Sequence, residues 1–183
     1  MISKNTLAAV VLLMPLTSMA VSAQEQEKED RFKLFRFLVG SWTGQQKGVP
    51  GVGTGARTYE PVMTETYLLG KNRATYPPQE KNPKGEVHED WEILSYDRAR
   101  KTFAVRQFNV ESFVVHYVLV RSDPAKQVFV FQSEHIENGP VGMQARLTWK
   151  SPAADAFEET FEVAMPGENF ETYAESNWAR QKP

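Results

Sequence analysis

The feature that most constrains this chain is a procession of strand-like segments with no room between them for a helix. From residue 41 onward, ten stretches rich in Val, Phe, Tyr, Trp and Thr occupy 41–47, 54–68, 71–77, 85–96, 101–110, 112–122, 126–135, 141–150, 156–165 and 169–181. This is the rhythm of an all-β barrel or sandwich. The connectors carry turn chemistry: Leu69-Gly70, Asn82-Pro83-Lys84-Gly85, 97–100, Asp123-Pro124, Asn138-Gly139, 152–155 and Pro166-Gly167. Parallel pairing needs a crossover of a dozen residues or more, so each strand is expected to lie antiparallel to its neighbour. An open sheet of ten strands would leave two edges exposed, and closure removes both. The prediction is an all-β fold, an antiparallel up-and-down β-barrel of about ten strands, preceded by one short helix. That helix is expected over 30–39, capped by Asp30, with Phe32, Phe35 and Val39 on its apolar side and Gly40 as its stop.

Composition narrows the function classes. The 183 residues are 41% hydrophobic, and 21 basic side chains against 23 acidic ones leave no nucleic-acid footprint. The absence of cysteine excludes disulfide scaffolds, iron–sulfur clusters, thiol nucleophiles and zinc ribbons. Residues 1–23 read as a secretory signal peptide, with Lys4, an apolar run from Leu7 and Val21-Ser22-Ala23 at the cleavage position. The apolar run is too short to span a bilayer. Residues 24–30 form a polar lead-in and 31–183 a single domain. The expected location is secreted or periplasmic, without membrane insertion after cleavage.

Period-two alternation divides each strand into two faces. His88, Asp90 and Glu92 share one face of their segment, where a histidine and a carboxylate two residues apart can share a proton, hold a metal or form a polar cluster of the interior. Arg106 and His116 sit at matching distances from the Glu111-Ser112 turn and should face each other across the ladder. If Arg106 points inward, its counter-charge is Asp90, Glu92 or the carboxylate of an anionic ligand. Arg146 is a second candidate interior cation, and His135 falls at the rim. Glu158, Glu159, Glu162, Glu168, Glu171 and Glu175 read as a solvated acidic surface. The segments between 112 and 131 are apolar on both faces, which points to a homodimer through their outer side. The candidate ligand-binding set is therefore His88, Asp90, Arg106, His116 and Arg146, with no metal site.

Phe37 to Gln45 reads FLVGSWTGQ, in which Leu38, Gly40, Trp42 and Gly44 follow the form Leu-x-Gly-x-Trp-x-Gly, and the chain closes with Trp178, Arg180 and Lys182. This opening resembles that of the lipocalin and fatty-acid-binding-protein superfamily, and more closely the nitrobindin-type heme-binding β-barrels. The likeness implies a barrel whose lumen holds a small, largely apolar molecule. It gives Gly40, Trp42 and Arg180 structural roles, with Trp42 plugging the closed end. It also implies heme, held by a histidine near the start of the last strand; residues 168–182 contain none, so no cofactor is expected. The functions that remain open are a container for a small apolar ligand, an enzyme using the same cavity, with His88 or His116 as general base and Arg106 stabilising negative charge, an interaction protein whose apolar outer strands bind a partner, and a heme barrel with His88, His116 or His135 as axial ligand from another wall.

Overall fold

In the computed structural model, which describes residues 31–182, ten antiparallel strands close into one barrel. They are β1 (Gly40–Gly48), β2 (Gly51–Val62), β3 (Tyr67–Tyr76), β4 (Glu86–Asp97), β5 (Thr102–Asn109), β6 (Val114–Asp123), β7 (Val128–Glu137), β8 (Gln144–Ala153), β9 (Ala156–Ala164) and β10 (Glu171–Arg180). Every strand pairs with its sequence neighbours, and β1 pairs with β10 to complete the circle, Trp42 opposite Arg180 and Gly44 opposite Trp178. The signal-peptide reading and the Asp30 cap lie outside the described residues.

The expected helix is shorter and tighter. It is a 3-10 segment, Lys33–Leu38. Phe32, Phe35 and Leu38 are spaced by three, and all are buried. With three residues per turn, a 3-10 helix places such residues on a single line. Phe35 inserts into the barrel end, its ring centroid 4.8 Å from that of Phe103 and 4.7 Å from that of Phe129.

Trp42, Trp149, Phe131 and Phe157 complete this aromatic plug. Burying each such ring stabilises by roughly 1.5–3 kcal/mol. Trp42 donates Nε1–H to the Leu38 carbonyl at 2.7 Å, which ties the plug to the first strand. Gly40 sits at φ +127°, and a Cβ there would come within 2.7 Å of Arg180 Nη1. Arg180 donates to the carbonyls of Val39 (2.6 Å) and Phe37 (2.8 Å), and its guanidinium lies over the Trp42 ring. The three residues of the opening and closing motifs thus form one latch.

The two ends differ. At the plugged end lie the 3-10 segment, the 63–66 turn and the 98–101 turn. The opposite end carries the turns at 49–50, 77–85, 110–113, 138–143 and 165–170, and it opens into the lumen.

Candidate functional site

Midway along the axis, the interior changes from aromatic to polar. Gly51, Gly53, Gly55, Arg57 and Tyr59 form the inner face of β2, and Arg57 reaches across to Glu159 on β9. The pair is bidentate, Nη1 to Oε2 at 2.5 Å and Nη2 to Oε1 at 3.0 Å. Trp149 donates its indole N–H to the same carboxylate at 2.8 Å, and the Trp178 ring lies 4.6 Å from the guanidinium carbon. Burial works against the Arg57 charge, but Glu159, Tyr59, Glu92 and Asp90 outweigh it and keep the group fully protonated.

Tyr59 donates to Glu92 at 2.5 Å. Glu92 is fully buried, and burial, reinforced by Glu159 and Asp90 against the pull of Arg57, pushes its carboxyl up to about 8. The belt therefore holds one proton in place of a fourth charge. Asn72 donates to Asp90 Oδ2 at 2.7 Å, Gln107 donates to Asp90 Oδ1 at 3.2 Å, and Tyr117 donates to Gln107.

Above this floor lies a cavity of about 330 Å³ that opens at the unplugged end. Its two sides differ chemically. Strands β6 to β9 give an apolar wall of Val115, Ile136, Ala145, Leu147, Phe161 and Val163. Strands β1 to β5 and the 110–113 turn give a polar wall that includes Gln46, Asn72, Tyr76, Glu86, His88, Asp90, Gln107 and Glu111. His88 stands between two carboxylates, Nε2 3.3 Å from Asp90 Oδ2 and Nδ1 2.9 Å from Glu111 Oε1. Burial would lower its pKa, but the hydrogen bonds to Asp90 and Glu111 prevail and raise it to about 9. Burial likewise opposes the Asp90 charge, and the His88 hydrogen bond, Arg57 and Asn72 hold Asp90 below the usual carboxylate range.

The residues picked out in the sequence divide cleanly. His88 and Asp90 meet at the cavity. Arg106 and His116 do pair in register, as the arithmetic about the turn requires, but on the outer face. Arg106 is exposed, with only Ser95 Oγ at 3.4 Å, and His116 bonds to Glu137 at 2.8 Å. The inward parity of β5 belongs to Phe103, Val105, Gln107 and Asn109 instead, because Phe103 and Val105 supply the plug. Arg146 is also outside, bound by two short hydrogen bonds to Glu162 and lying over Phe170. His135 is exposed at the rim beside His116. The interior cation is Arg57, and Glu159 is its buried partner rather than part of a solvated acidic surface. A usable signal was present: Gly51, Gly53, Gly55 and Tyr59 share the parity of Arg57, and glycines on alternate positions mark the face where something large crosses. On the outer side of 112–131, Val114 and Val118 are half-buried and Val120 is exposed.

Among solved structures, the chain is similar to Rv2717c from M. tuberculosis, with a TM-score of 0.63 at 12% identity over 82% of this chain and 97% of that one. The likeness is one of fold, a closed antiparallel β-barrel. A redesigned β-barrel also aligns, at a TM-score of 0.40 and 12% identity over 80% of this chain and 93% of that one. No family model and no curated protein matches the sequence.

The cavity does not fit heme. Among the described residues, His88 is the histidine lining the cavity, and both its ring nitrogens face carboxylates. With a pKa near 9 the imidazole carries its second proton at neutral pH, so neither nitrogen offers iron a lone pair. His116 and His135 are on the outer side.

Proposed function

We propose that the protein is an exported, lipocalin-like binding module that captures one small molecule in the open half of its barrel. The observation that carries this reading is the one-ended interior: aromatic rings fill one half, and a two-sided cavity stands over a hydrogen-bonded polar floor in the other. About 330 Å³ is at the lower end of the 300–1,000 Å³ typical of small-ligand pockets. The apolar wall supplies burial and the polar wall fixes orientation, the usual division of labour in such sites.

The cavity favours capture over catalysis. A general base is most effective with a pKa near the working pH, whereas His88 is held protonated at neutrality. Glu92 has the perturbed carboxyl of a general acid but is covered by Tyr59 and Arg57, beneath the floor.

The test is native mass spectrometry of protein purified from its own host, followed by extraction. A retained small molecule in stoichiometric amount is expected. Protein that emerges empty and also fails to bind any short-chain amphiphile would overturn the reading. An intact mass that begins near Gln24 checks export, and retention of Met1 in protein from the host would refute it.

A further inference from the structure

The charged groups that line the cavity are mostly carboxylates. Its lining holds four carboxylates, Glu86, Asp90, Glu111 and Glu159, against one guanidinium and one imidazole. Arg57 is consumed by Glu159 through both terminal nitrogens. His88 is shared between Asp90 and Glu111, so that trio retains a formal negative charge even with the imidazole protonated. Glu86 takes only a long 3.3 Å contact from Asn82.

A second observation is independent of these charges. Asn72, 7% exposed, lines the cavity, and its Oδ1 is buried with no hydrogen-bond partner. Its amide cannot be turned to relieve this, since Nδ2 is committed to the Asp90 carboxylate and an oxygen there would face two lone pairs. A buried acceptor without a donor costs about 1–3 kcal/mol. Tyr76, on the same inner face of β3, gives its proton to Gln46. The Nε of Arg57 is also unpartnered, but it belongs to a guanidinium that Glu159 neutralises and the Trp178 ring covers.

We propose that the cavity is a site for a small amphipathic amine, its ammonium donating to Asn72 Oδ1 and the Asp90–Glu111 carboxylates and its apolar body lying on the β6–β9 wall. This deepens the reading of the lumen as a binding site and rests on it. It also reverses the sign of ligand implied by an inward Arg106: the lumen has no unspent cation to receive a carboxylate.

Isothermal titration of the purified protein with octylamine, octanol and octanoate, each below its micelle concentration and at neutral pH, tests the proposal. The three share one apolar body and differ only in the head group. Octylamine is expected to bind at least tenfold more tightly than octanoate, with octanol between. Glu111→Gln, a substitution at the exposed mouth, should weaken octylamine severalfold and leave octanol unchanged. Octanoate or octanol binding as tightly as octylamine would overturn the amine assignment while the container reading stands. Failure of all three to bind would overturn both. An equal loss for all three in Glu111→Gln would also overturn it, since a change in cavity shape rather than in charge would then be the cause.

Discussion

Two titratable residues in the lumen hold protons for different reasons, and each makes a distinct prediction. His88 is raised because the two carboxylates beside it outweigh its burial. A group whose folded pKa is above its unfolded value gives stability that is complete below the unfolded value, about 6.5 for histidine, and is lost as pH rises through the folded one. The stability advantage of wild type over His88→Gln should therefore be largest at pH 6 and shrink toward pH 10. The His88 ring, followed by NMR, should titrate near 9; a midpoint close to 6.5 would show that the two-carboxylate bridge does not exist in solution. Glu92 is raised to about 8, chiefly by burial. Its contribution is likewise complete below its unfolded value of 4.5 and falls as pH climbs toward 8, each pH unit in that interval costing about 1.4 kcal/mol. Glu92→Gln keeps the shape without the titration, so the variant should gain on wild type between pH 5 and pH 8.5 in chemical denaturation. Parallel stability curves for the two proteins would contradict the assignment.

At the scale of the element, β2 shows how an inner face is built around a ring. A Cβ at Gly55 would stand 2.8 Å from the Trp178 ring and 2.9 Å from the Gln46 amide. Because the space rather than the backbone angle is limiting, Gly55→Ala should destabilise by about 1–3 kcal/mol through overpacking. Thermal unfolding at neutral pH checks this, and an unchanged midpoint would mean that Trp178 moves aside freely. The same strand shows what could be read beforehand and what could not. Strand number, closure and the grouping of His88, Asp90 and Glu92 on one face of β4 followed from alternation and short turns, because those signals are local. The β2–β3 turn did not: it falls at 63–66, with Met63, Thr64 and Glu65 all at positive φ, rather than at Leu69-Gly70. Three non-glycine residues in the left-handed region carry no glycine or proline to announce the bend. Gly70, meanwhile, lies inside β3, where the Tyr59 ring crosses it. The facing of Arg106 was equally hidden. A segment reading Phe103-Ala104-Val105-Arg106 is apolar on both parities, and the choice between them is made by Phe35 packing on Phe103 from a segment some 70 residues earlier.

At the scale of the whole molecule, stability and capture are assigned to opposite ends of one closed sheet. The latch of Gly40, Trp42 and Arg180 joins the first strand, the last strand and the 3-10 segment at the plugged end. Asn72, His88, Asp90 and Glu111, the groups proposed to face a ligand, line the other half. Closure makes β1 and β10 neighbours, so loosening either strand exposes both edges and should unfold the barrel as a unit rather than fray it. Arg180→Met removes the guanidinium from over Trp42 and leaves the Phe37 and Val39 carbonyls without their charged donor. Charge-assisted hydrogen bonds contribute about 1.5–3 kcal/mol each, and their partial exposure here puts the expected loss near 2 kcal/mol. Denaturation should remain a single cooperative transition at a lower midpoint, while octylamine affinity, measured well below that midpoint, stays within twofold of wild type. Glu111→Gln should show the converse, a near-normal midpoint with weakened amine capture. If Arg180→Met lowered affinity as much as Glu111→Gln does, the plug and the cavity would be mechanically coupled, and the separation of the two ends would have to be abandoned.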